Sequence, residues 1–200
     1  MKQFRNIVRK SVFFVVKNIL GAKIVAQCDY KKLSTERCII ACNHMSNFDP
    51  PIIGCLFPTN IHFLAKEELF RFKPLAWLIT SLNAISIRRG VVDKNAIQNI
   101  NNVLNKDEAI LIFPEGSRKS FKAKPGIGLL AMNTKSRVLP IYMENSNHLC
   151  AVLFRLKKLT IYIGDSIEPS VYADMPLHKD SYRTLSKDIL DKINGLKLES

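Results

Sequence analysis

The sequence predicts an α/β domain, a single mostly parallel sheet covered by helices on both faces, and three observations predict it. Apolar runs bounded by turn residues alternate along the chain with helical patterns. Several runs, Cys38-Ile39-Ile40-Ala41-Cys42 among them, are apolar without interruption, as strands covered on both faces must be. The chain has 200 residues, 47% of them apolar, which suffices for one substantial core but not for two comfortable domains. A disordered or fibrous chain is excluded on the same grounds.

The first element is a helix over residues 4–20. At 100° per residue, Phe4, Ile7, Val8, Val12, Phe14, Val15 and Ile19 share an arc of about 160°. Lys2, Asn6, Arg9, Lys10 and Lys17 lie opposite, and Phe13 and Leu20 intrude on that polar side. Such a helix either lies in a membrane interface or packs on a core with its lysines in water, and the pattern alone leaves both open. Its apolar centre, Val12-Phe13-Phe14-Val15-Val16, ends at Lys17, far short of the roughly 20 residues of a spanning helix. It also lacks the longer apolar stretch and small-residue cleavage site of a signal peptide. The chain therefore divides into an amphipathic membrane-associated segment over 1–22 and an α/β domain over 23–200.

Within the domain, strands are expected at 24–28, 37–42, 61–65, 84–87, 109–113, 138–143 and 159–163. Helices are expected at 51–56, 74–81, 94–105, 126–133 and 181–198. The helix at 51–56 has the clearest start: Asp49 reads as its N-cap, because Pro50 pushes the residue before it out of the helical region.

Five cysteines, an odd number with no Cys-x-x-Cys pair, argue against a disulfide framework and for a reducing compartment. The charge is the unusual feature: 30 Lys+Arg against 17 Asp+Glu give +13. That excess attracts nucleic acid, acidic proteins, phosphorylated metabolites or a membrane surface without choosing among them. Eight basic residues against one acidic residue, Asp29, precede Glu36.

Two segments place unusual polar residues directly after a buried strand, where open α/β sheets bind ligands. The first is Asn43-His44-Met45-Ser46-Asn47-Phe48-Asp49-Pro50, and the second is Phe113-Pro114-Glu115-Gly116-Ser117-Arg118-Lys119. His44 and Asp49 are five positions apart, about 140° out of phase on a helix, so they meet only if His44 is in the loop and Asp49 opens the next helix. One carboxylate oxygen could then cap the helix while the other holds the imidazole N–H, leaving the far nitrogen as a base. No His or Cys stands at metal-ligand spacing from His44, and no metal is expected. No phosphate loop or dinucleotide turn is present.

Asn43-His44-x-x-x-x-Asp49 together with Phe113-Pro114-Glu115-Gly116-Ser117-Arg118 resembles the glycerolipid acyltransferase family, which includes the 1-acylglycerol-3-phosphate acyltransferases. Ala84-Ile85-Ser86-Ile87-Arg88-Arg89-Gly90 is similar to its second block, a strand ending in a phosphate-binding arginine, here Arg89. Val138-Leu139-Pro140-Ile141 is similar to its fourth, a strand holding a proline, and Lys124 and Gly126 to the helix opening after the third. The four blocks span residues 43–141, with departures at Arg88 and Pro125.

The resemblance implies transfer of an acyl group from acyl-CoA or an acyl-carrier protein, used as co-substrate with no bound cofactor, to the sn-2 hydroxyl of 1-acylglycerol-3-phosphate. His44 would be the general base, Asp49 its orienting partner, Arg89, Arg118 and Lys124 the phosphate grip, and Glu115, Gly116 and Ser117 the rest of the acceptor site. Asn43, Pro114 and Pro140 would be structural. Membrane lipids become the expected partners, nucleic acid does not, and the cytoplasmic face of a membrane is the expected place. Two alternatives stay open: another lyso-lipid acceptor, including an amino-acid-based one, and a basic nucleic-acid-binding domain. The oligomeric state is not legible.

Overall fold

Alternate residues of Cys38–Cys42 point into two different cores, and the whole architecture follows from that strand. The computed structural model describes residues 2–59, 61–88 and 93–198. Among these residues, seven strands form one sheet: β1 (Lys23–Ala26), β2 (Cys38–Cys42), β3 (His62–Lys66), β4 (Ala84–Ile87), β5 (Ala109–Ile112), β6 (Arg137–Glu144) and β7 (Thr160–Ile163). Their order is β1-β7-β6-β2-β5-β3-β4. The helices are α1 (Lys2–Phe14), α2 (Tyr30–Leu33), α3 (Asp49–Leu56), α4 (Lys73–Ser81), α5 (Lys94–Leu104), α6 (Gly126–Thr134), α7 (Leu149–Leu153) and α8 (Lys179–Gly195).

Cys38, Ile40 and Cys42 pack with Ile52, Ile53, Cys55 and Leu56 of α3 and with Val12, Phe13 and Val16 from the N-terminal helix. Ile39 and Ala41 pack on the other face with side chains of α5, α6 and α8. Helices therefore cover both faces, as expected, and β2 is buried along its full length.

The sheet is mixed. β2, β3, β4, β5 and β6 run parallel, whereas β7 pairs antiparallel with β6, and β1 pairs parallel with β7. The starts of β1 and β7 therefore lie at the same edge as the carboxyl ends of β2, β3, β5 and β6. Apolar periodicity carries no direction, so this reversal was invisible in the sequence.

Pro140 sits inside β6, where a proline is normally excluded because it cannot donate to the ladder. Its nitrogen shares the side of Val138, which bonds Ile167 across a break in the β7 side, and its own carbonyl accepts from the Gly164 amide at 3.0 Å. The bond that its missing N–H would have given Gly164 is taken over by the Cys28 thiol, which donates to the Gly164 carbonyl at 3.3 Å.

In α1 the core takes only part of the predicted apolar arc, Val12 among it. Val16 is buried, Phe13 packs beside it, Arg5 donates to Asn83 Oδ1 at 2.9 Å and Arg9 to the Phe57 carbonyl at 2.8 Å. The α-helix stops at Phe14 and widens into a π turn over Val15–Ile19. Ile7, Phe14, Val15 and Ile19 remain exposed. Burying one valine such as Val16 stabilises by roughly 1.5–3 kcal/mol, enough to fix the helix against α3 while its outer apolar strip faces away.

Candidate active site

The loop between β2 and α3 is organised by one carboxylate. α3 opens with Asp49-Pro50-Pro51. Two prolines offer no N–H for a forward cap, and the next amide, Ile52, bonds the Phe48 carbonyl at 3.0 Å. Phe48 is thus the N-cap, with no side-chain cap bond, and the expected capping by Asp49 is corrected. Its carboxylate turns back instead. Oδ2 accepts from the Met45 and Ser46 amides, both at 2.7 Å, and meets His44 Nδ1 at 2.8 Å. Oδ1 is buried with no hydrogen-bond partner among the described residues. Asp49 is 0% exposed, in the first turn of a helix whose positive dipole end favours an anion.

Because Oδ2 only accepts, Nδ1 carries the proton in the neutral ring, and Nε2 keeps its lone pair. Nε2 has no hydrogen-bond partner among the described residues. The ring stacks on Phe113, centroids 4.1 Å apart and planes at 19°. Nothing in the spacing of His44 announced Phe113, although its place at the end of the strand expected over 109–113 could have. Asn43 holds the loop to the sheet: its amide donates to the Met143 carbonyl at 2.9 Å and accepts from the Met143 amide at 2.7 Å. The buried side chain thereby extends the β2–β6 ladder by one residue.

The second segment meets the first at Glu115, whose Oε2 accepts from the His44 amide at 2.8 Å. Glu115 is 8% exposed. Burial pushes its carboxyl up from 4.5 to about 7; the His44 amide opposes this and the Asp49 charge adds to it. Since the folded value lies above the ordinary one, the folded state takes up the proton between about pH 4.5 and 7, and stability is lost as pH rises through that window. Thermal melts should show wild type declining from pH 5 to 7.5 relative to Glu115→Gln; parallel curves would contradict this environment for Glu115.

Gly116 donates to the Phe113 carbonyl at 2.9 Å and has φ +67°, a conformation that favours glycine. A Cβ there would also press on the Lys124 side chain at 3.3 Å. Lys124 donates its amide to the Pro114 carbonyl at 2.8 Å, which closes the loop against the start of α6. Pro114 is buried, Ser117 half-buried, and Lys124 exposed. Arg118, three residues beyond Glu115, is exposed with no ion pair or hydrogen bond among the described residues.

His44, Asp49, Glu115 and Gly116 are thus brought together, with Asn43 and Pro114 bracing them, while Pro140 lies deeper in the sheet. Arg89 lies outside the described residues. Its neighbour Arg88 faces Asp93 at 3.9 Å and donates its amide to the same carboxylate.

A family model described as Acyltransferase matches residues 23–144. A 1-acyl-sn-glycerol-3-phosphate acyltransferase of Streptococcus pneumoniae is 28% identical over 84% of this chain, which spans 64% of that protein. Its counterpart of the same name in Bacillus subtilis is 25% identical over 80% of each chain. One from Saccharomyces cerevisiae is 26% identical over 72% of this chain and 50% of its own. The crystal structure of the 1-acyl-sn-glycerophosphate acyltransferase PlsC from Thermotoga maritima superposes with a TM-score of 0.65, covering 96% of this chain and 82% of that one at 22% identity, which establishes likeness of fold.

Proposed function

This chain belongs to the acyltransferase family, and on that premise we propose that it acylates the sn-2 hydroxyl of 1-acylglycerol-3-phosphate from an acyl thioester, giving phosphatidic acid. The observation that carries this reading is the buried pair of His44 and Asp49, 2.8 Å apart at the carboxyl end of β2. His44 Nε2 takes the acceptor's hydroxyl proton as its oxygen attacks the thioester carbonyl. The carbon–sulfur bond breaks, and the imidazolium returns the proton to the thiolate. Asp49 orients the ring and stabilises its charge, a division of labour worth typically 10²–10⁴-fold for the base.

Arg118, with Arg89 and Lys124, holds the acceptor phosphate, since a guanidinium matches phosphate oxygens with paired donors. Glu115 fixes His44 through its amide and offers its second oxygen to the glycerol. Acyl-CoA or an acyl-carrier protein is the co-substrate, with no bound cofactor. The enzyme works peripherally at the cytoplasmic face of a membrane. The exposed strip Ile7, Phe14, Val15 and Ile19 supports that placement, as do the unpaired cysteines, and no helix among the described residues is long and apolar enough to cross.

The test is acyl transfer by purified protein to a panel of lyso-lipids. The phosphate-bearing acceptor should exceed a phosphate-free monoacylglycerol by at least tenfold in kcat/KM. Arg118→Ala should raise KM for the former more than it lowers kcat. Equal use of both acceptors would transfer the proposal to another lyso-lipid.

A further inference from the structure

Beyond the N-terminal helix, a second segment carries exposed apolar side chains among cations. We propose that the turn between α7 and β7, residues 153–158, is a second foot by which the domain seats on an anionic lipid surface. The proposal rests on the reading of this chain as an enzyme of the lipid interface.

Leu153 is 48% exposed, Phe154 73% and Leu156 80%, although α7 itself is held by the fully buried Val152. Isolated apolar side chains on a surface need no explanation, but three in four successive positions do. The turn is built rather than loose. The Arg155 amide bonds Val152 at 3.0 Å, and the Leu156 amide bonds Ala151 at 2.8 Å, the pattern that ends a helix by reversing the chain. The reversing position usually holds glycine; here it is Arg155, at φ +61°. A side chain is kept where the backbone would be easier without one.

Charge points to the occupant. Arg155, Lys157 and Lys158 are exposed, and no acidic residue occurs between Glu144 and Asp165 or before Asp29. The Arg155 guanidinium lies over Gly21, so a side chain at that glycine would have to displace it. The turn thus abuts the end of the N-terminal helical segment, whose outer side exposes Phe14, Val15 and Ile19.

Topology puts both at the catalytic edge. β1 and β7 begin at the end of the sheet where β2 finishes, so both connections leading into them lie at the same end as the loop of His44. An apolar rim studded with cations at the site's end of the sheet fits an anionic bilayer, with cations at headgroup depth and Phe154 and Leu156 below them.

Full-length protein would be cosedimented with vesicles of phosphatidylcholine alone or containing phosphatidylglycerol. At about 1 kcal/mol per cation near an anionic surface, removing two cations corresponds to about thirtyfold. Lys157→Glu with Lys158→Glu should therefore weaken partition onto anionic vesicles at least that much and leave neutral vesicles nearly unaffected. Phe154→Ser with Leu156→Ser should weaken both by about tenfold, with Tm unchanged because these side chains contact water. In a Trp77→Phe background, Phe154→Trp should shift its emission to the blue when anionic vesicles are added. His44→Ala should bind vesicles as wild type does, so loss of chemistry and loss of docking read separately. Wild-type partition in both double variants, or an unmoved emission, overturns the proposal. So does a change in self-association with vesicle binding intact, which would assign the surface to a second copy.

Discussion

Asp49→Asn is expected to lower kcat by about a hundredfold while leaving KM and the fold nearly unchanged. The amide oxygen can replace Oδ2, because the Met45 and Ser46 amides and His44 Nδ1 all donate to that atom. Its NH₂ group would then fall at the position of Oδ1, which already lacks a partner among the described residues. The loop therefore keeps its shape, and the imidazole keeps its tautomer. What disappears is the negative charge facing the imidazolium as it forms. Hydrogen bonds to charged groups are worth about 1.5–3 kcal/mol, which spans about ten- to a hundredfold in rate, and full burial sets the upper end here. Asp49→Ala differs in kind: two amides and an imidazole lose their fully buried acceptor, so stability should fall along with turnover. Single-turnover rates and melting temperatures of the two variants distinguish loss of charge from loss of the loop. An Asn variant with wild-type kcat would remove Asp49 from the chemistry.

Much of this arrangement was legible in the chain. β4 has the limits expected from its apolar run, and β2 was marked by five apolar residues in succession. The meeting of His44 with Asp49 followed from Pro50, which fixes where the loop ends. What failed to show depends on partners distant in the sequence. Phe13 and Val16 face the core because α3 packs there, and Arg5 finds Asn83 from 78 positions away. The arc drawn from hydrophobicity places Arg9 on the polar side, whereas its long stem reaches the carbonyl of the buried Phe57.

Asp49 was expected to cap its own helix, but the two prolines after it remove the amides that a cap needs. For Glu115 the resemblance implies a contact with the acceptor's glycerol or a hold on Arg118, not a bond to the loop of His44. Its bond to the His44 amide bridges 71 positions, and nothing in either motif announces it. α7 leaves no signature in the sequence because five helical residues are too few to set a period.

His44→Ala tests the central claim most directly. Removal of the base leaves the acceptor hydroxyl to lose its proton to water, while Asn43, Asp49 and Glu115 still shape the loop through bonds that do not involve the ring. The proposed phosphate grip and the outer face of α1 are untouched. Turnover should be compared between wild type and His44→Ala at saturating acyl thioester and 1-acylglycerol-3-phosphate in mixed vesicles. The account predicts a loss of at least a hundredfold, the lower bound for a positioned general base, with vesicle binding retained. Turnover within a few-fold of wild type in a folded, vesicle-bound His44→Ala protein would contradict it.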